Sequence, residues 1–160
     1  MSRRRAIGPV GEPIVLLRHE HFDERYSASC LIQLNVSTPI FFTLRKKSNN
    51  QLDFIRFLMN CIDKHYLQTG DYLVCDNAQI HGGSDTFNLL DDLLKAARIK
   101  LVYLPAYSPE LNPIELVFGL VKRFLRENRH RNIPLWFDIT AAFAVINIED
   151  VIRFYSHCLQ

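Results

Sequence analysis

The pattern of apolar and polar positions predicts extended segments in the first part of the chain. Residues 14–17, 26–36 and 40–44 are rich in β-branched and aromatic side chains, and the second of these segments alternates partly between apolar and polar positions. Ser37-Thr38-Pro39 separates the last two segments. We therefore expect a β-hairpin or meander before residue 45.

A helix and a β-α-β unit are predicted next. From residue 51 to residue 67 the apolar positions recur at steps of three and four, which is the spacing of one helix face, and Thr69-Gly70 ends this helix. Residues 71–75 and 100–104 are short apolar runs, and the segment between them, residues 84–98, has helical spacing. This order is typical of two buried parallel strands joined by a crossover helix.

The last third of the chain is predicted to be helical. After a proline-rich connector at residues 105–109, a helix begins at Asn112-Pro113 and runs to about Asn128. Asn112 suits the N-cap, Pro113 suits the first helical position, and Glu115 can complete a capping box. Residues 134–159 predict one or two further helices. The whole order indicates a single α/β domain over residues 1–160.

Composition narrows the class of protein. A chain of 160 residues with 48% hydrophobic and 22% charged residues suits one globular domain, and its longest apolar run, residues 141–146, is too short to span a bilayer. Met1 to Arg5 is basic but no continuous apolar stretch follows, so we expect the chain to stay inside the cell. The four cysteines form no C-x-x-C pair, which favours buried free thiols in a reducing compartment.

The small net charge of +2 conceals one basic segment. Between residues 122 and 131 only Glu127 opposes five cations, which are Lys122, Arg123, Arg126, Arg129 and Arg131. Such a segment binds phosphate backbones, but a solvated helix end has the same composition. Both interpretations are open at this point.

Two carboxylates are the candidates for catalysis. Asp76 follows a predicted strand, at the edge where open α/β sheets bind ligands, although an aspartate there also hydrogen-bonds its own turn. Glu115 begins a helix just beyond the neighbouring strand, although a helix cap alone would explain it. Two carboxylates that converge can hold Mg²⁺ or Mn²⁺. His81 can act as a base or serve only a structural purpose.

Two motifs resemble the mariner-type transposases of the DDE superfamily. The first motif is Asp76-Asn77-Ala78 followed by His81. The second is the run Leu-Pro-Ala-Tyr-Ser-Pro-Glu-Leu-Asn-Pro-Ile-Glu, which ends at Glu115 and is followed by Lys122 in the next helix. The resemblance covers residues 3–130. It implies an RNase H-like fold, a mixed sheet flanked by helices, in which three acids bind two divalent metal ions that cut and rejoin DNA.

The resemblance also implies roles for individual residues. Asp76 corresponds to the second acid and Glu115 to the third, as catalytic residues and as ligands of Mg²⁺ or Mn²⁺. Thirty-eight residues separate them, slightly more than is commonest in the family. The expected DNA-binding residues are Asn77, His81, Tyr107, Lys122, Arg123, Arg126 and Arg129, although Tyr107 can equally pack on the helix. The implied partners are DNA and further copies of the chain on DNA, with no membrane and no small-molecule cofactor.

The sequence departs from the family pattern at its start. Residues 3–13 resemble the basic connector that follows the first strand, so we expect that strand and the first acid to lie before Met1. Asp23 lies only 52 residues before Asp76, which is too close for the first acid. Without the first strand, unpaired edges are expected between the hairpin and the strand before Asp76. The helix-turn-helix region that precedes the catalytic domain in the family is also not seen here.

The predicted function is metal-dependent DNA cleavage and strand transfer by a transposase-derived domain, severely impaired alone because an acid is missing. One alternative is a non-catalytic transposon remnant that binds DNA or a protein partner. Another is a divalent-metal nuclease that does not transpose DNA. The family implies a nuclear location in a eukaryote, and an intracellular one otherwise.

Overall fold

The computed structural model describes residues 25–34, 39–76, 87–106, 108–128 and 133–160. In these residues strands and helices follow one another in the predicted order, and the predicted segment at residues 14–17 lies outside them. The strands are β1 (Ser27–Ile32), β2 (Ile40–Arg45), β3 (Tyr72–Cys75) and β4 (Lys100–Tyr103). The helices are α1 (Gln51–Asp63), α2 (Phe87–Ala97), α3 (Pro113–Asn128), α4 (Leu135–Ala144) and α5 (Ile148–Cys158), with a short 3₁₀ turn at Pro109–Leu111.

The first two strands form the predicted hairpin. β1 and β2 are antiparallel, and their register pairs Ser27 with Arg45 and Ile32 with Ile40. β1 is shorter than the predicted segment over residues 26–36. Successive side chains of a strand point to opposite faces, so Leu31 packs against one core while Cys30 packs against another. The hairpin therefore contributes to both cores of the domain.

Helix α1 begins as a capping box and ends earlier than predicted. The Asn50 side chain accepts a hydrogen bond from the Asp53 amide, and the Asp53 carboxylate accepts one from the Asn50 amide. The helix ends at Asp63 rather than at residue 67, because His65 adopts a left-handed conformation with φ 61°. The amides of the next two residues then turn back to the Cys61 carbonyl, at 2.8 and 3.1 Å.

The predicted β-α-β unit is confirmed. β3 and β4 are parallel with Tyr72 opposite Lys100, and α2 joins them. The prediction that both strands are buried was wrong in part. Leu73 and Cys75 are buried against α1 and α2, whereas Tyr72 and Val74 on the other face of β3 are 62% and 54% exposed. Helices cover one face of this pair in the described residues, and this accounts for the alternating burial along β3.

Two hydrophobic cores hold these elements together. The first lies between α1, α2 and the β3–β4 pair, with Leu58 and Cys61 fully enclosed. The second lies between the hairpin and helices α3, α4 and α5, where Val117 and Val151 are each 0% exposed. The rings of Phe42 on β2 and Phe143 on α4 are stacked, with their centres 4.2 Å apart. Burial of this apolar surface is the main force that fixes α3 on the hairpin.

The hairpin and the parallel pair do not join into one sheet within the described residues. Each forms its own two-stranded sheet, so β1 and β3 each have one edge without a strand partner in this part of the chain. The predicted extended segment at residues 14–17 lies outside the described residues, so the expectation of unpaired edges between the hairpin and the strand before Asp76 stays a prediction. The single mixed sheet that the resemblance implies is present here only as two separate pieces.

All four cysteines are free thiols, as expected. Burial, with a smaller contribution from the neighbouring Cys61, raises the pKa of Cys30 to about 12, and burial alone does the same for Cys61. These thiols therefore stay protonated and act as small apolar side chains. No helix in the described residues has the length and apolar character needed to cross a membrane.

Candidate active site

Asp76 leaves the sheet at the carboxyl end of β3. The sequence Tyr-Leu-Val-Cys forms this strand because its alternate residues Leu73 and Cys75 fill the first core. The Leu104 amide donates a hydrogen bond to the Cys75 carbonyl at 2.8 Å, which extends the parallel ladder by one bond beyond β4. This bond places Asp76 and the segment after Leu104 side by side at the same sheet edge. Asp76 is partly exposed there.

The chain then leads from this edge to Glu115 in a few residues. After Leu104 it passes through the 3₁₀ turn Pro109–Leu111 and enters α3, with Glu115 in the first turn and exposed. The Glu115 amide donates to the Asn112 carbonyl at 3.1 Å, which starts the helix. The carboxylate lies at the positive end of the helix macrodipole, which stabilises its charge. Whether the Asn112 side chain completes the predicted capping box stays a prediction.

The thiol beside Asp76 is chemically inert. Burial first, and the charge of Asp76 second, raise the pKa of Cys75 to about 12, which shows that the carboxylate lies close to the thiol. Tyr103 lies opposite Cys75 in the ladder, and burial together with the charge of that thiol raises its pKa.

The cations of α3 lie on its exposed side. Val117 and Val121 are buried against the second core, and the stripe that faces away from them holds Glu115, Gly119, Lys122, Arg123 and Arg126, all exposed. We call these five residues the α3 stripe. At 1.5 Å per residue the first of its cations lies about 10 Å along the helix from Glu115. The acid and the basic segment thus share one exposed helix face.

A comparison with protein families identifies the chain. Residues 1–134 match the model of the DDE superfamily endonuclease family. The chain belongs to the DDE superfamily of endonucleases. A chain in the cryo-EM structure of the simian T-cell lymphotropic virus intasome in complex with PP2A regulatory subunit B56 gamma has a similar fold, with a TM-score of 0.54 at 17% sequence identity. A comparison with curated protein sequences gives no match.

The structural similarity is partial in extent. It covers 68% of this DDE endonuclease chain and 37% of the intasome chain, so the present chain spans little more than a third of that protein. The similar structure supports the fold of the chain, and the family model supports its membership of the DDE superfamily endonucleases.

The carboxylates of the candidate site are suitable ligands for a divalent metal ion, but the described residues contain only two of them. Nucleases of the DDE superfamily generally use divalent metals, and carboxylate oxygens are the ligands that such hard cations prefer. Within the described ranges, however, no group of three His, Cys, Asp or Glu side chains is placed to hold a metal ion. Asp76 and Glu115 are therefore a two-ligand candidate set in this part of the DDE endonuclease.

Several predicted site residues lie outside the described residues. Asn77, His81, Tyr107 and Arg129 belong to this group, as does Asp23. Their predicted roles stay predictions, and so do the roles of Asp76, Glu115 and the cations of the α3 stripe in catalysis and DNA binding.

A second basic group was missed by sequence reasoning. Arg25 precedes β1, while Lys46 and Lys47 follow β2, and all three are exposed and line one cleft. A signal was present in the sequence, because the two ends of a hairpin meet and both ends carry cations.

Proposed function

We propose that this chain is a mariner-type transposase-derived domain with an RNase H-like fold for metal-dependent cleavage and joining of DNA phosphodiesters with Mg²⁺ or Mn²⁺, and that its activity is severely impaired when it acts alone. The single observation that supports this best is the 2.8 Å hydrogen bond from Leu104 to Cys75. It brings the end of β3, where Asp76 lies, beside the segment that leads to Glu115. We infer from this bond that the two acids of the transposase motifs lie near the same sheet edge.

Each acid has a defined part in this proposal. A bound divalent metal supplies Lewis-acid stabilisation of the phosphodiester oxygens. Asp76 follows β3, whose alternate residues Leu73 and Cys75 are buried in the first core and fix the end of the strand. Glu115 is fixed by the first turn of α3, and Val117 in the next half-turn is fully buried and anchors that turn. Asp76 and Glu115 are the proposed metal ligands and the proposed catalytic acids.

The α3 stripe supplies the proposed contact with DNA. Lys122, Arg123 and Arg126 are exposed on the face that Glu115 begins. A phosphate backbone laid along that face would run from the cations towards the acids. Binding as several copies on DNA and a nuclear location, or another intracellular one, belong to the same proposal.

Plasmid nicking tests the catalytic proposal. The full 160-residue chain is incubated with supercoiled plasmid and either Mg²⁺ or Mn²⁺, and the wild type is compared with Asp76→Asn and Glu115→Gln. We expect weak metal-dependent nicking, because the domain is impaired alone, and we expect both substitutions to reduce it to the level seen without metal. Glu110→Gln is the matched control, because Glu110 is also an exposed acid but lies in the 3₁₀ turn before α3. Nicking that survives both substitutions would contradict the assignment.

One observation favours the alternative of a non-catalytic transposon remnant. Only two carboxylates form the candidate metal set within the described residues, and a metal lacking a bridging ligand is poorly held. In that case no nicking is expected with either metal, while DNA binding through the α3 stripe persists. The same plasmid assay and a binding titration together separate the two functions.

A further inference from the structure

Helix α4 exposes apolar side chains on the side that faces away from the second core. Trp136 and Phe137 are 47% and 50% exposed, whereas Ile139 and Phe143 on the other side are buried. All ten residues of α4 are described, and Asp138, its one charged residue, is buried. A surface helix ordinarily places charged residues on the side away from the core. The exposed side of α4 therefore has the composition of a contact surface.

The other four described helices follow the ordinary pattern. Each of them carries exposed charged residues, for example Arg56 on α1, Lys95 on α2, Lys122 on α3 and Arg153 on α5. Helix α4 also begins at Leu135, just beyond the residues that match the DDE endonuclease family model. The family match thus gives the exposed side of α4 no role, and its role has to be inferred from its own chemistry.

The exposed side of α4 changes in size along the helix. Its first turn carries two aromatic rings, Trp136 and Phe137, which contact each other edge to face with their centres 5.9 Å apart. Thr140 follows one turn later, and the small residues Ala141 and Ala144 lie towards the end of the helix, about 12 Å from its start. If two copies of α4 cross antiparallel near Thr140, the aromatic end of each lies against the alanine end of the other. The surface is therefore complementary in shape to a second copy of itself.

The polar groups of α4 also permit this contact. A two-fold contact brings identical residues face to face, so a charged surface repels its own copy, and the exposed positions of α4 carry no charge. The one hydroxyl of the helix, that of Thr140, donates a 2.8 Å hydrogen bond to the Trp136 carbonyl. Because this hydroxyl already has a partner within the helix, the removal of water from it costs little.

The size of the surface predicts weak association. An aromatic side chain has roughly 150 to 250 Å² to bury, so the half-exposed rings of Trp136 and Phe137 leave about 200 Å² per copy in solvent. Two copies bury about 400 Å² on these rings alone, before the helix backbone and the neighbouring side chains are added. Contacts in this range lie at the small end of protein interfaces. We therefore expect a reversible dimer with a dissociation constant in the micromolar range.

We propose that the exposed side of α4 is a dimer interface, at which a second copy of this chain packs antiparallel with Thr140 at the two-fold axis. The aromatic rings of each copy pack on the alanines of the other. The proposed function includes several copies on DNA, and this proposal names the surface that joins them. It rests on the proposed function in that respect only, since the contact itself requires neither DNA nor metal.

Tryptophan fluorescence reports directly on this surface, because Trp136 is the only tryptophan of the chain. The emission maximum of the full 160-residue chain is measured over a range of protein concentrations, together with its sedimentation velocity. The buffer contains no DNA and has high salt, so that traces of nucleic acid do not bridge two copies. We expect the emission to move to shorter wavelength as the protein passes through micromolar concentrations, in step with the change from monomer to dimer.

Two fluorescence results would contradict the proposal. Emission that stays at long wavelength at every concentration would show that the Trp136 ring remains in water. Emission at short wavelength that does not depend on concentration would show that another segment of the same chain covers the ring.

Charges at the centre of the contact test its symmetry. Thr140→Glu would place two carboxylates at the axis and Thr140→Lys two ammonium groups, so we expect each variant alone to dimerise at least about tenfold more weakly than the wild type. An equimolar mixture of the two variants should associate again, because the charges at the axis then attract each other. A mixture that stays monomeric would refute the antiparallel arrangement.

The matched control is Leu89→Glu, which places the same charge at a half-exposed apolar position on α2. This variant should dimerise like the wild type, and equal weakening by it would overturn the proposal. If the Thr140 variants melt at a much lower temperature, Ala144→Glu is measured instead, because Ala144 is exposed on the same side of α4. The same loss of the dimer is expected for it, and unchanged dimerisation would overturn the proposal.

Failure of this proposal and failure of the proposed function give different results. If plasmid nicking is absent while the chain dimerises and Thr140→Glu weakens the dimer, the interface assignment holds and the catalytic one fails. If nicking depends on Asp76 while the chain stays monomeric at every concentration, only the interface assignment fails.

Discussion

Gly119 offers a direct test of the exposed face of α3. It lies in the interior of the helix between Glu115 and the first cation of the α3 stripe, and its φ is not positive. A Cβ built at this position meets nothing within 4 Å, so alanine fits without a clash and without a new contact. The whole effect of Gly119→Ala then comes from the lower backbone entropy of the unfolded chain. We expect about 1 kcal/mol of added stability.

The chain contains a matched control for this substitution. Gly70 also has nothing within 4 Å of a built Cβ, but its φ is +95°, in the turn that leads into β3. Gly70→Ala should therefore destabilise the protein by about 1 kcal/mol or more, although the space around the two glycines is the same. The two substitutions differ only in the backbone conformation on which they act.

Urea denaturation followed by circular dichroism measures both effects. For a domain of this size, 1 kcal/mol corresponds to about 2 to 4 °C in melting temperature, so a thermal scan gives a second reading. We expect the urea midpoint to rise for Gly119→Ala and to fall for Gly70→Ala, with unchanged slopes. A lower midpoint for Gly119→Ala would show that the face of α3 around this residue is covered, and it would refute the placement of the α3 stripe in solvent.

Three further outcomes are expected. Tyr26→Phe should leave the melting temperature unchanged or raise it, because the buried Tyr26 hydroxyl has no hydrogen-bond partner among the described residues. Asp53→Asn should reduce the loss of stability in acid. Burial opposes ionisation of Asp53, but the Asn50 amide and Arg45 outweigh it and lower the pKa of this carboxyl below 3.8, so the stability it contributes is present above that pH and is lost as the pH falls through the lowered pKa. An acid-unfolding curve identical to that of the wild type would contradict this. Lys122→Gln with Arg126→Gln should reduce the salt slope of DNA binding by about 2, and an unchanged slope would remove the α3 stripe from the DNA interface.

Local structure was predicted well where it depends on residues that are close together in the sequence. The β-α-β unit and the start of α3 at Pro113 were found from apolar spacing and proline chemistry. The end of α1 was misplaced because His65 adopts a left-handed conformation that histidine rarely takes, and apolar residues continue beyond it. The capping boxes observed at Asn50 and Asn147 were missed, although both have the Asn-x-x-Asp form.

The two candidate acids were predicted from the sequence, and their roles stay predictions, whereas the surroundings of the site were not predicted. Asp76 and Glu115 follow from motifs, since a strand end and a helix start are local features. The basic cleft at the hairpin end was not found, because Arg25 and Lys47 are 22 positions apart and meet only through the antiparallel register. The exposure of Tyr72 and Val74 was not found either, because an apolar strand gives no sign of whether a helix covers its second face.

The amino-acid sequence by itself determined the family and the order of most elements, and it predicts the two acids. These depend on residue type and on spacing within about one element, which the chain carries before it folds. Only the tertiary structure decided that Leu104 hydrogen-bonds to Cys75, which sets the end of the strand before Asp76 beside the segment that follows β4. It also decided that the hairpin packs on α3 and α4 and thereby brings Arg25, Lys46 and Lys47 beside Leu125. Such contacts join residues that are distant in sequence. They depend on how the helices and strands pack around the two apolar cores, and no local sequence pattern specifies that packing.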